Sequence, residues 1–240
     1  MVFTANTLYY QQLNEQLRSC PDTEIVVENL LGQRYLGCGS SGRSFRLYGT
    51  PGNGLGQYLN GSVIEVFGNA QDAAGDTMND GEIIIHGSCG DAAGYGMRGG
   101  RILIEGDCGY RGGIHMKSYL GKHPVIVIGG QAGSFLGEYQ AGGLIIVLGR
   151  GAGGKVPASY FCGTGMHGGK IILRTDEAPS GLPPQVLAAE AASGDLAEIR
   201  PHVEAYCKAF GGDAAAVLSG RFYVLSPNPE AGYRQLYTYE

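Results

Sequence analysis

The chain has 240 residues, 43 of them glycine, no tryptophan and a formal net charge of −5. That charge gives no basic footprint for nucleic acid, and no apolar run approaches the ~20 residues of a membrane helix. Glycine exceeds its usual ~7% share, yet 43% hydrophobic residues in regular aliphatic runs argue for a packed core over disorder or collagen. The start, Met1 to Asn6, lacks a charged n-region and an apolar signal core, so the expected location is the cytoplasm.

Residues 1–23 read as a helical cap, with Leu8, Leu13 and Leu17 on one loosely amphipathic face. Residues 24–175 are built from repeats. Gly49, Gly68, Gly87 and Gly106 recur every 19 residues, and Gly56, Gly75, Gly94 and Gly113 follow seven residues behind them. Leu59, Met78, Met97 and Met116 form a third series. A short β-branched run precedes each first-series glycine, as in Val63–Val66, Ile83–Ile85 and Ile102–Ile104. After an insertion the pattern resumes at Gly129 and Gly149, while Gly137, Gly163 and Met166 continue the other series. A fixed period means stacked like units. No repeat has room for a crossover helix. The expected fold is therefore all-β: a right-handed parallel β-helix, or solenoid, of about seven turns and about 30 Å, with an N-terminal helical cap and a C-terminal helical segment.

Residues 176–240 form the third expected part. Pro179, Gly181, Pro183 and Pro184 mark a linker. Residues 185–219 read as helical with breaks at Gly194 and Pro201, Phe222–Leu225 as a strand, and the tail is tyrosine-rich. This segment is expected to pack on the repeats. Counting back from the first-series glycines, the positions four and two before are apolar and face inward, including Ile83/Ile85, Ile102/Ile104 and Val125/Val127. The position three before faces outward. It begins polar, with Arg46 and Glu65, then becomes Ile84, Leu103, Ile126, Ile146 and Ile172. Such an apolar wall needs a cover, so these five residues are the candidate interface, for the C-terminal helix or for a partner.

Motifs for chemistry are weak. Gly94–Gly99 and Gly163–Gly168 match G-x-G-x-x-G, but a strand follows each where a dinucleotide fingerprint requires a helix. Gly149–Lys155 resembles a phosphate loop, but Val156 replaces the magnesium-binding Ser/Thr. Asp72 and Asp91 hold equivalent positions above Asn53, and stacked carboxylates are a weak alternative as an acid pair. The favoured reading makes them turn residues bonded to local N–H groups. Arg98 and Lys117, with His167 in the same place later, form a basic stripe read as a solvated face. The five histidines show no metal spacing, and the six cysteines include no C-x-x-C pair. Cys89 and Cys108 should be ladder neighbours, close enough for a disulfide but read as buried thiols in a reducing compartment. No catalytic, cofactor-binding or metal-ligating residue is assigned, and no cofactor, nucleic acid or membrane partner is expected.

The run from Gly32–Gly37 through Asn69–Asp72, Met97–Gly100, Gly113–Lys117, Gly133–Tyr139 and Gly163–Gly169 resembles the C-terminal glycine-repeat domain of glutamate synthase large subunits. The resemblance covers nearly the whole chain and implies a right-handed β-helix. The same repeat is similar to the glycine-repeat subunit of formylmethanofuran dehydrogenase. In glutamate synthases, an amidotransferase domain with an N-terminal cysteine hydrolyses glutamine, and a flavin- and iron–sulfur-bearing barrel forms glutamate. This chain begins Met1-Val2 and carries no matching catalytic residues. The resemblance thus implies a non-catalytic scaffold subunit, whose partners are amidotransferase and flavin/iron–sulfur synthase subunits or further copies of itself. A scaffold for another redox complex, of the formylmethanofuran dehydrogenase kind, and a carbohydrate-active β-helix enzyme are the alternatives.

Overall fold

The computed structural model describes residues 1–230. Strand β1 (Val2–Thr4) and helix α1 (Tyr10–Ser19) precede β2 (Glu24–Leu31), β3 (Ser44–Thr50), β4 (Asn60–Phe67) and β5 (Asp80–Ile85). There follow β6 (Arg101–Ile104), β7 (Val125–Ile128), β8 (Ala141–Val147) and β9 (Gly168–Arg174). The remaining elements are β10 (Val186–Glu190), α2 (Ser193–Phe210), α3 (Ala214–Leu218) and β11 (Phe222–Pro227).

The 11 strands among the described residues form one sheet in the order β1-β2-β3-β4-β5-β6-β7-β8-β9-β11-β10. Neighbours from β1 to β9 are parallel, whereas β11 runs antiparallel to both β9 and β10. Helices lie between strands at both ends, α1 between β1 and β2, and α2 and α3 between β10 and β11. The expected all-β, right-handed parallel β-helix is therefore corrected to a mixed, mostly parallel sheet in an α/β arrangement. The physical reason is one of scope. A repeat period dictates which strand lies beside which, and this holds from β3 to β9. It does not dictate how the flanking segments join the sheet, and those add the antiparallel strands and the helices.

The β-branched runs form strands because their stiff side chains pack on a pleated surface. Between them the chain turns through left-handed backbone. At Gly113, φ is +68°, and an added Cβ would stand 2.5 Å from Ile145 Cδ1. No larger residue fits without moving the core. A second line of parallel pairing joins these connections, through Ala70, Cys89, Cys108, Ala132 and Ala158.

The strands have two apolar faces. On one, Ile64, Ile83, Ile102, Ile126, Ile145 and Ile171 are fully buried in register, with Met78, Met97 and Met116 from the connections. The register corrects the expected assignment in β7. Ile126 and Ile128 belong to this core, while Val125 and Val127 lie in the cluster on the opposite side. The insertion before β7 shifts the count by one residue. Gly130, not Gly129, pairs with Gly106, as its N–H donates to the Gly106 carbonyl at 2.9 Å. A slip of one residue exchanges the faces of a strand.

The C-terminal segment also departs from expectation. Val186–Glu190 is a strand, not helix, and α2 runs unbroken through Pro201. Proline removes one backbone hydrogen bond. Burial of Ile199, Val203, Tyr206 and Cys207 on the sheet offsets that loss. Lys170 Nζ donates to Asp195 Oδ1 and Glu198 Oε2, each at 2.8 Å, fixing the start of α2 to β9. Farther along, Tyr206 donates its hydroxyl proton to the Glu105 carbonyl at 3.1 Å and accepts from Arg150 Nη1 at 2.9 Å.

Candidate interaction surface

The residues expected to form an exposed wall are placed as follows. Leu103, Ile146 and Ile172 are buried in the second cluster, with Ile84 packed at its edge. Ile126 lies in the first core instead. Its place in the wall is taken by Val127, which pairs with Leu103 on one side and Ile146 on the other. Ile199, Val203 and Tyr206 of α2, Leu218 of α3, and Phe222 and Val224 of β11 share this cluster. The wall is thus covered by the chain itself.

Asp72 and Asp91 are brought together as ladder neighbours. Asp91 N–H donates to Asp72 Oδ1 at 2.9 Å, and Tyr110 N–H donates to Asp91 Oδ1 at 2.8 Å. A parallel row runs through Asn69, Ser88 and Asp107, each accepting from a backbone N–H of the next repeat. These side chains stitch successive connections together. Arg98 lies over the Tyr119 ring at 5.8 Å, Lys117 is exposed, and the His167 ring is 3.2 Å from the Gly165 carbonyl. Cys89 and Cys108 pair across a bridge as free buried thiols. Burial is the main reason both resist ionisation, and Cys108 is pushed up to about 12. Among the described residues, no group of three or more His, Cys, Asp or Glu is placed to hold a metal ion, and no helix is long and apolar enough to cross a membrane.

A surface that sequence reasoning missed lies along the connections. Ala92, Arg111, Phe135 and Phe161 occupy one backbone ladder, and Gly96, His115 and Tyr139 another, all with positive φ. Left-handed backbone suits glycine, yet here it holds bulky rings. His115 stacks on Tyr139 at 5.1 Å with 12° between planes, and Tyr95 meets His115 edge-on at 5.8 Å. Phe135 stacks on Phe161 at 5.0 Å, and the Arg111 guanidinium lies 5.1 Å over Phe135. Arg111 also pairs with Glu138 at 3.1 Å. Tyr160 is 78% exposed and Phe161 56%, so much of this aromatic row faces solvent. Tyrosine, phenylalanine and arginine together are the composition of interface centres. The insertions hid the row in the sequence, because they lift the spacing from 19 to 24 residues between His115 and Tyr139 and to 26 between Phe135 and Phe161.

Comparison with known proteins gives two findings. The GXGXG motif family model matches residues 23–226. The protein named "Uncharacterized protein MJ1350" from Methanocaldococcus jannaschii is 42% identical over 252 residues, covering 99% of this chain and 96% of that one. The family match spans the strands from β2 through all but the last residue of β11, and with them every repeat glycine. The chain accordingly belongs to the GXGXG motif family, that of the C-terminal GXGXG domain of glutamate synthases.

Proposed function

We propose that this chain is a non-catalytic scaffold subunit of a glutamate synthase-type complex, holding a glutamine amidotransferase and a flavin/iron–sulfur synthase subunit in place. Family membership over residues 23–226 is the observation that carries this reading. The exposed aromatic row around Tyr139, Tyr160 and Phe161 supports it, because apolar rings left in water favour docking. Six free cysteines fit the reducing cytoplasm, which is where we place the complex.

The test is native purification followed by identification of the co-eluting chains. Amidotransferase and flavin-barrel proteins should co-elute with the wild type, and the double change Tyr160→Ser, Phe161→Ser should release at least one of them while the chain still folds. Elution alone, or with subunits of a molybdenum or tungsten enzyme, would overturn the proposal.

A further inference from the structure

The third repeat series lines the first core. Leu59, Met78, Met97, Met116, Gln140 and Met166 occupy equivalent rungs and are essentially without solvent exposure. Backbone bonds define the rungs: Asn79 N–H donates to the Leu59 carbonyl, Arg98 N–H to Met78, and Lys117 N–H to Met97. The same bond from Asn60 N–H, at 2.9 Å, runs to the carbonyl of Ser40. The first rung therefore carries a small hydroxymethyl group where the later ones carry a leucine, a methionine or a glutamine. Ser40 Oγ turns aside to Ser62 Oγ at 2.9 Å.

A cavity of about 480 Å³ opens at this rung, between α1 and the segment that joins β2 to β3. Its lining includes Leu17 and Phe45, the pair Tyr10 and Tyr35, and Ser40. The two tyrosine rings meet edge-on at 5.8 Å. Gln11, Asn14 and Ser41 add amide and hydroxyl groups to these walls, so the cleft, within the roughly 300–1,000 Å³ typical of small-ligand sites, offers an apolar body region and polar anchors. The charged lining residues are Arg18 and Arg43, both cationic. Arg43 donates to the Leu17 and Cys20 carbonyls at 2.8 and 2.6 Å, which neutralises the carbonyl end of α1. Arg18 stays at the mouth. Its Nε donates to the Asn14 carbonyl at 3.3 Å, and its ion pair with Glu15, at 3.5 Å, joins two side chains that are largely in water. Such a pair contributes little and yields to a better partner.

We propose that this cleft binds a small amphipathic carboxylate, its aliphatic or aromatic body replacing the missing rung side chain and its carboxylate meeting Arg18. This site is independent of the scaffold role, and its test does not involve the partner subunits.

Cys38 lines the same cleft and is exposed, whereas the other five cysteines are buried. Cys38 is thus a built-in reporter. In the folded full-length protein, octanoate should slow alkylation of Cys38 by iodoacetamide severalfold. Ser40→Met, which supplies the rung from within, should abolish that protection while leaving the melting temperature equal or higher. Arg18→Gln should weaken protection by octanoate but not by octanol. If octanoate protects Ser40→Met as well as the wild type, or protects neither, the proposal fails. If Ser40→Met does not fold, the Arg18→Gln comparison decides: equal loss for octanoate and octanol, or no loss for either, overturns the assignment of the carboxylate to Arg18.

Discussion

Ile104 illustrates how one side chain is held. It is fully buried in the first core and pairs with Ile85 and Ile128 on either side. Ile104→Ala should cost about 2–5 kcal/mol, through lost transfer free energy and the cavity left behind. Chemical denaturation measures this, and a loss within error would mean that the position is not inward. His202 offers a different kind of test. It sits on α2 with its Nδ1 buried and unpartnered, near Arg101 and Glu198, with Glu82 bound to Arg101. Burial, helped by the Arg101 charge, pushes its pKa down. The neutral ring is then favoured in the folded state. Its contribution should be complete above the unfolded value of ~6.5 and be lost as pH falls through the lower folded value. Stability measured from pH 7 to 5 should decline in the wild type, and His202→Gln should flatten that decline. An identical pH slope in the two proteins would remove His202 as the cause.

Helix α2 is the element whose role is most exposed to experiment. It lays Ile199, Val203 and Tyr206 on Leu103, Val127, Ile146 and Ile172, and its ends are tied by Lys170 and by Tyr206. Deleting residues 181–240 removes this helix together with β10 and β11. The truncated chain should aggregate, as seen by light scattering, because the sheet then exposes a contiguous aliphatic face and an unpaired β9 edge. A monomeric, soluble and equally stable truncation would refute the covering role. A finer probe is Tyr206→Phe, which leaves the shape but deletes the hydroxyl that Arg150 and Glu105 share. Loss of a partly buried hydrogen bond of this kind should destabilise the protein by about 0.5–1.5 kcal/mol. The lowered pKa of Asp195, caused first by its bond to Lys170, acts in the same direction in acid. That contact holds above the ordinary carboxylate range and is lost as pH falls through the depressed value.

Across the fold, the repeats determine neighbours and the flanking segments determine the face that is left open. The wall of Ile84, Leu103, Ile146 and Ile172 is not that face, since the chain's own C-terminal segment closes over it. Among the described residues, the open surfaces include the aromatic row on the connections and the cleft beside α1. Neither repeats faithfully through the molecule. Each arises where the period is broken, by bulky residues on left-handed backbone in one case and by a serine on a leucine–methionine rung in the other.

Repeat spacing alone dictated that the strands from β3 to β9 lie side by side in chain order, that the second-series glycines turn the chain through left-handed backbone, and that Asp72 and Asp91 would meet. Those properties are local or periodic, and a fixed spacing translates them directly into neighbours. Contacts between segments distant in the chain set the rest. The insertion before β7 moved Ile126 to the inside and Val127 to the outside, because only backbone pairing sets the register after a change in loop length. The strand at Val186–Glu190 has an alanine-rich sequence that suits a helix, and its pairing with β11 overrode that preference. The tyrosine-rich tail, residues 231–240, lies outside the described residues. Mixed sheet, covered wall and aromatic row all depend on contacts between segments far apart in the chain, and no spacing within one repeat encodes them.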